Sequence, residues 1–304
     1  MREFPAAMTN LNLTGPQAAV LAAGLAVAGV ALHAIGGRYP RARTAAPYFF
    51  EAGVVAVLYA VWQWLAGFGH ARLGTAVTRG ETLLRWQDDL HLPSELALQR
   101  ALLPHPLLMQ GANLYYAVAH FTVMGLMLAW LFVRHRPHYP AIRTVLVVVT
   151  AVSLAIQFVA VAPPRLLPGA GFVDTAARYG QSVYGSLTSD DVRTLLGVDF
   201  GADQLSAMPS VHVAWALLVA LAVQHASMSR LRGLIWLHPV LTVYVIAVTA
   251  NHYWADGIVA AALLAASVLG VLGVRRLWRA RRRPATPAGS DRVDDRGVVE
   301  PVTS

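Results

Sequence analysis

Residues 232–274 read RGLIWLHPVLTVYVIAVTANHYWADGIVAAALLAASVLGVLGV, two apolar runs (232–250 and 252–274) meeting at a polar block from Asn251 to Asp256. A helix crosses the bilayer hydrocarbon with about 17–25 predominantly apolar residues. Both runs reach that length, and neither carries Asp, Glu, Lys or Arg in its middle. Working outward, the same pattern recurs at roughly 17–36, 47–68, 106–133, 141–162 and 209–228. The reading is an all-α integral membrane protein with about seven transmembrane helices. Composition agrees, with 56% of the 304 residues hydrophobic and 13% charged, where a soluble domain carries roughly a quarter charged residues. That excludes an ordinary cytosolic domain, and it excludes disorder over most of the chain. The absence of cysteine excludes disulfides, thiolate metal sites and a cysteine nucleophile.

The formal charge of +8 is concentrated, because Arg275, Arg276, Arg279, Arg281, Arg282, Arg283 and Arg292 account for seven of the 24 basic residues. Without them the remainder is close to neutral, so the basicity reads as a terminal anchor and not as a nucleic-acid face. Around the first span, Arg38, Arg41 and Arg43 follow the apolar run while only Arg2 precedes it, opposite Glu3. A cleaved signal peptide has the reverse charge order, so a retained helix with an outer N-terminus is expected. The connections 134–143 and 229–232 and the tail from 275 then fall on one side, all rich in arginine. The segments 69–105 and 163–208, with most of the acidic residues, fall on the other. The positive-inside bias makes the basic side cytoplasmic. This predicts a plasma-membrane protein with a cytoplasmic C-terminus. The expected organisation is an N-terminal helix with its connection (1–46), a six-helix membrane domain (47–274) and a basic, then disordered, tail (275–304).

Two outer segments exceed simple turns. Leu83, Trp86 and Leu90 recur at helical spacing opposite Arg85, Asp88 and Asp89, and Pro93-Ser94-Glu95 opens a second short helix through Leu102. Both read as interfacial helices. A third short helix is expected from Ser189-Asp190-Asp191 to Gly197. Trp62, Trp64, Trp86 and Trp254 fit interface anchoring, and His70, His91 and His105 a wet boundary.

Three clusters stand at span ends on the outer side: Pro163-Pro164-Arg165, Met208-Pro209-Ser210-Val211-His212, and the block Asn251–Asp256. On a helix, His252 and Asp256 share one face a turn apart. The carboxylate can then hold the imidazole Nδ1 proton and leave Nε2 free as nucleophile or base. His212 enters the first turn of a helix whose free N–H groups favour an anion, and Ser210 adds a hydroxyl. Arg165 offers a planar fork for two phosphate oxygens, stiffened by two prolines. Two imidazoles, a guanidinium and a helix N-terminus suffice for phosphoryl transfer without a metal. The bland alternative is a set of polar contacts between helix ends. Ionisable groups at membrane depth are costly enough to favour function. A transporter usually shows repeated halves and broken mid-span helices, whereas the polar residues here gather at helix ends. No cofactor, metal or nucleic-acid partner is expected.

The segments AMPSVHVA (207–214) and TANHYWAD (249–256) resemble the second and third motifs of the type-2 phosphatidic-acid phosphatase superfamily. APPRLLPGAGFVDT (162–175) resembles its inositolphosphotransferase branch, which includes the inositol phosphorylceramide synthases. The resemblance implies a six-helix core and a phosphohistidine mechanism. In it His252 attacks phosphorus, Asp256 orients it, His212 protonates the leaving group, and Arg165, Ser210 and Asn251 serve the substrate. Two cations of the superfamily pattern are missing: a lysine position is Phe158 and an arginine position is Ile246. The inositolphosphotransferase branch tolerates this, and a phosphodiester, carrying less charge than a monoester, needs fewer cations. The expected partners are a lipid-linked phosphate and an alcohol acceptor such as inositol, with hydrolysis of a lipid phosphate or isoprenoid pyrophosphate as the alternative.

Span three adds Asn113, Tyr116 and His120 on one face, with His120 about 18 Å along the helix. They line the head-group site or form interhelical hydrogen bonds. Gln157 is a weaker candidate of the same kind. His225 and His238 fall towards the opposite side, and Glu51 reads as an interfacial charge.

Overall fold

The computed structural model describes residues 15–66, 73–179, 205 and 207–281, and every regular element among them is helical. The helices are α1 (Gly15–Ile35), α2 (Pro40–Ala66), α3 (Leu73–Asp89), α4 (Glu95–Leu102), α5 (Pro106–Arg134), α6 (Tyr139–Gln157), α7 (Thr175–Tyr179), α8 (Val211–Ala226), α9 (Leu237–Val248) and α10 (Trp254–Arg281). The helix expected at 189–197, His70, the side chain of Trp62 and the tail from 282 lie outside the described residues.

Six helical segments are long and apolar enough to cross a membrane, and α8 is a shorter apolar helix of 16 residues. Its length, about 24 Å, falls short of the ~30 Å hydrocarbon thickness. Pro209 and Ser210 fix its start, and eight of its 16 positions are buried. It is the central post of the bundle. Met124, Met127 and Leu131 of α5, Val145 and Val149 of α6 and Leu264 of α10 share a core with its Val213, Leu218 and Val219. The segment expected at 232–250 divides into a 3-10 stretch, Arg230–Trp236, and α9. Pro239, in the first turn of α9, has no N–H to bond back into that stretch. The span expected at 141–162 ends as helix at Gln157, because the residues leading into Pro163-Pro164 turn extended.

The α1–α2 hairpin meets the rest of the bundle through a half-buried polar contact. Arg143 and Tyr139 of α6 both donate to Glu51 of α2. Glu51, read from the sequence as an interfacial charge, is thus ion-paired and ties the two helices together. At the same end of the bundle, His138 packs edge-on against His225, 4.9 Å between ring centres. This brings the α5–α6 connection to the C-terminus of α8, as alternating spans require.

Helices α3 and α4 form where expected, but the face of α3 differs. Ala76, Gly80, Leu83 and Gln87 are its buried stripe, whereas Trp86 and Leu90 point outward at 60% and 71% exposure. The small residues set the approach distance. A Cβ at Gly80 would lie 2.6 Å from both the Ala162 carbonyl oxygen and the Tyr253 hydroxyl. Gly80→Ala is therefore expected to cost about 1–3 kcal/mol of stability. Thermal unfolding in detergent reads the effect, with Gly111→Ala, which meets nothing within 4 Å, as the control.

Candidate active site

The three motifs arrive at one place through backbone hydrogen bonds. Val161 and the 205–207 segment exchange N–H donation: Val161 N to Leu205 O at 2.7 Å, Ala207 N to Val161 O at 3.1 Å. Arg165 N donates to Ala250 O at 3.0 Å, and Ser210 N to Asp256 O at 3.3 Å. The end of α6, the start of α8 and the start of α10 are thereby locked together, although up to 95 residues separate Val161 from Asp256. The sequence argument required that convergence.

His252 sits in a tight connection of two helices. Helix α9 ends in a Schellman turn: Asn251 N bonds Ile246 O at 3.1 Å and Ala250 N bonds Ala247 O at 3.0 Å. Ala250, at φ 52°, occupies the left-handed position usually given to glycine. Helix α10 begins only at Trp254, so His252 precedes the helix that carries Asp256. The pair consequently does not stack along one helical face, as spacing alone suggested. The His252 Nδ1 lies 2.6 Å from the Ala207 carbonyl oxygen and 3.3 Å from Asp256 Oδ2. A carbonyl only accepts, so Nδ1 carries a proton, and in the neutral imidazole the lone pair lies on Nε2. The expected tautomer results, with a backbone carbonyl from the second motif as the closer partner. Asp256 Oδ2 also accepts from Tyr253 N at 2.8 Å, and the side chain is fully buried.

The second ring nitrogen of His252 faces the other candidates. Tyr116 Oη is 3.4 Å from Nε2, and the ring centres of His212 and His252 are 5.5 Å apart. Tyr116 stacks on His212 at 4.2 Å between ring centres, and the His120 ring lies 4.1 Å from that of His212. The His120 Nδ1 donates to Tyr116 O at 3.1 Å. Two of the three polar residues on α5 thus join the histidine cluster. Asn113 does not: it is buried and exchanges two bonds with Thr175, donating to its carbonyl at 2.9 Å and accepting its hydroxyl at 2.7 Å. These bonds anchor α7 to α5. Asn251 donates to Thr249 Oγ1 at 2.8 Å, within its own turn.

Ser210 is the N-cap of α8 and is fully buried, its oxygen 3.5 Å from Val213 N. Arg165 lies in a 3-10 turn, Pro164–Leu166, with its Nε 3.6 Å from Asp174 Oδ2. The Arg165 side chain is only 14% exposed. Gln157 reaches Pro209 O at 3.5 Å, tying α6 to the second motif. His238, at the end of α9 away from the site, meets Tyr115 of α5, whose Oη lies 2.6 Å from its Nδ1. At the two missing cation positions, Phe158 is 54% exposed and Ile246 is buried beside the Schellman turn.

Sequence reasoning missed the outer frame of this site. Tyr253 donates its hydroxyl to Ala162 O at 2.7 Å, joining the first and third motifs. Burial, with Asp256, Glu95 and Glu81 nearby, pushes that hydroxyl well above the ordinary tyrosine range, so it stays a donor. Gln87 and Glu95 are buried under the start of α10. Burial raises the Glu95 carboxyl above its usual range, opposed by bonds from Trp254 N–H and Gln87. Gln87 stands four residues after Leu83 on a helical face, a polar residue in an apolar stripe, which was the available signal.

A family model described as PAP2 superfamily matches residues 81–270. No curated protein and no solved structure matches the chain. The chain belongs to the PAP2 superfamily, the class its helical membrane architecture and motif cluster define. Its function is accordingly of the lipid phosphatase or phosphotransferase type.

Proposed function

We propose that the protein transfers a phosphoryl or phosphoalcohol group from a membrane lipid phosphate, without a metal, through a phosphohistidine on His252. The observation that carries this reading is the fixed Nδ1–H of His252, which turns Nε2 towards the cluster formed by His212 and Tyr116. A nucleophile needs a lone pair at that nitrogen, and the neutral Nδ1–H tautomer supplies it.

In the first step the Nε2 lone pair forms the N–P bond as the bond from phosphorus to the leaving oxygen breaks. His212 supplies the proton that the departing alcohol needs. Asp256 and the Ala207 carbonyl stabilise the positive charge that appears on His252. In the second step His212 takes a proton from water or an alcohol, whose oxygen attacks phosphorus and returns the pair of electrons to Nε2. Arg165 and the N-terminus of α8 serve the phosphate oxygens. Asp174 holds the Arg165 guanidinium until an anion competes for it. Tyr116 and His120 line the site beside the reacting atoms. Asn251 stands at its rim.

The acceptor separates hydrolysis from transfer. The 162–175 segment favours an inositolphosphotransferase-like transferase, and the match of the family model alone fits a phosphatase equally. The arginine-rich connections favour an outer-leaflet site in the plasma membrane and a cytoplasmic C-terminus, with residues 47–274 as the catalytic membrane domain. The test is product analysis. Purified protein with phosphatidylinositol, dioctanoyl phosphatidic acid and farnesyl diphosphate, with and without inositol, is expected to give a phosphoalcohol product only when the acceptor is present. Release of inorganic phosphate unaffected by inositol selects the phosphatase. Activity is expected to persist in excess EDTA, and its loss there, restored by a divalent cation, sinks the metal-free mechanism.

A further inference from the structure

Helices α3 and α4 cover the site but contribute none of the residues assigned a chemical role. The first N–H groups of any helix lack intrahelical acceptors and are normally met by a polar N-cap side chain. Helix α10 has Tyr253 at that position, and the Tyr253 hydroxyl is committed to Ala162 O. Its N–H groups are met by other side chains. Tyr253 N bonds Asp256 Oδ2 at 2.8 Å, Trp254 N bonds Glu95 Oε1 at 3.0 Å, and Ala255 N bonds Gln87 Oε1 at 3.0 Å. Gln87 Nε2 closes the set by donating to the same Glu95 oxygen at 2.9 Å. The Trp254 indole donates to Pro93 O at 2.6 Å, next to the N-cap of α4.

Glu95 and Gln87 are 2% and 3% exposed. Burying a carboxylate is costly, and apolar side chains would cover α10 without that cost. The pair supplies something packing does not, a fixed position for the turn that holds His252 and Asp256. From this geometry we infer that Glu95 and Gln87 are positioning residues, which cap α10 in trans and thereby set the His252–Asp256 turn. The inference rests on the phosphohistidine reading above. It gives α3 and α4 a mechanical part in the reaction.

The arrangement separates bond from charge. Both donors to Glu95 converge on Oε1, so Glu95→Gln retains an oxygen for both, whereas Glu95→Ala leaves Trp254 N–H and Gln87 Nε2 unmet. Small displacements of a nucleophile cost up to about a hundredfold in rate. The experiment uses the full chain in nanodiscs with ¹⁵N-labelled histidine, the His252 signals being assigned by their loss in His252→Ala. Wild type and Glu95→Gln are expected to show a single Nδ1–H tautomer. Glu95→Ala is expected to show mixed tautomers, and Gln87→Leu the same to a smaller degree. On dioctanoyl phosphatidic acid, Glu95→Ala should lower kcat about tenfold or more with KM nearly unchanged, and Glu95→Gln should restore it.

Wild-type tautomer and kcat in both Glu95→Ala and Gln87→Leu overturn the inference, even with a lowered Tm. Glu95→Gln as impaired as Glu95→Ala overturns it too, since charge and not position is then what matters. If Glu95→Ala does not fold, Glu95→Gln and Gln87→Leu decide. Full activity in His252→Ala defeats the phosphohistidine reading instead, and the tautomer measurement still judges the positioning.

Discussion

Replacing His252 with alanine is expected to lower turnover of a lipid phosphate by about 10⁴-fold or more, the scale on which removal of a covalent nucleophile acts. On the proposed mechanism the substitution removes the nucleophilic nitrogen and leaves the proposed donors to the phosphate oxygens in place. KM should therefore change little, and the defect should lie in kcat. The neighbouring carboxylate gives a graded comparison. His252 Nδ1 is closer to the Ala207 carbonyl, at 2.6 Å, than to Asp256, at 3.3 Å. Asp256→Asn therefore retains an acceptor for the Nδ1 proton and loses chiefly the negative charge beside the imidazole. Its loss in kcat is expected to be about 10- to 100-fold, well short of that for His252→Ala. Brief reaction with labelled substrate, quenched in alkali, should leave acid-labile label on wild-type protein and none on His252→Ala. Turnover by His252→Ala within tenfold of wild type removes the covalent mechanism.

The parts of this molecule legible in the sequence are those decided by local chemistry. Apolar runs give the long helices, Ser94 and Ser210 give two caps, and three polar clusters at span ends give the site. What sequence did not show depends on contacts between distant segments. The closest partner of His252 is a backbone oxygen, and a carbonyl at Ala207 has no side-chain signature. Asn113 shares a helical face with Tyr116 and His120, yet a turn of helix separates a lining position from one covered by Thr175. Periodicity reports the face, not what stands opposite it. Spacing likewise placed His252 and Asp256 on one helix, because nothing in Thr249-Ala250-Asn251 announces a Schellman turn when alanine takes the place of glycine. His238 stands at the end of α9 away from the His252 turn, and its bond to Tyr115 depends on a side chain 123 residues away, which no local pattern reports.

Substituting His212 with alanine is the second large effect, and it is expected to depend on the leaving group. A lipid alcohol cannot depart as an alkoxide, so loss of the general acid should lower turnover of dioctanoyl phosphatidic acid by about 10²–10⁴-fold. p-Nitrophenolate departs unprotonated, and the first step on p-nitrophenyl phosphate should survive His212→Ala nearly intact. The second step still needs a base to activate water, so the phosphohistidine should then accumulate. A burst of p-nitrophenol followed by slow steady turnover is the expected trace. An equal loss on both substrates with no burst means that His212 binds phosphate and does not move protons. Its surroundings argue for proton transfer. Tyr116 stacks on one face, His120 packs at 4.1 Å and the Tyr116 backbone carbonyl takes a hydrogen bond from the ring, so the ring plane is held with one nitrogen left for substrate. A residue meant only to bind an anion gains from permanent charge, which Arg165 already brings. On the proposed mechanism two roles fall to two kinds of side chain: the guanidinium, always protonated, would hold the oxygens, and the imidazole beside Tyr116 would give up and regain its proton in successive steps.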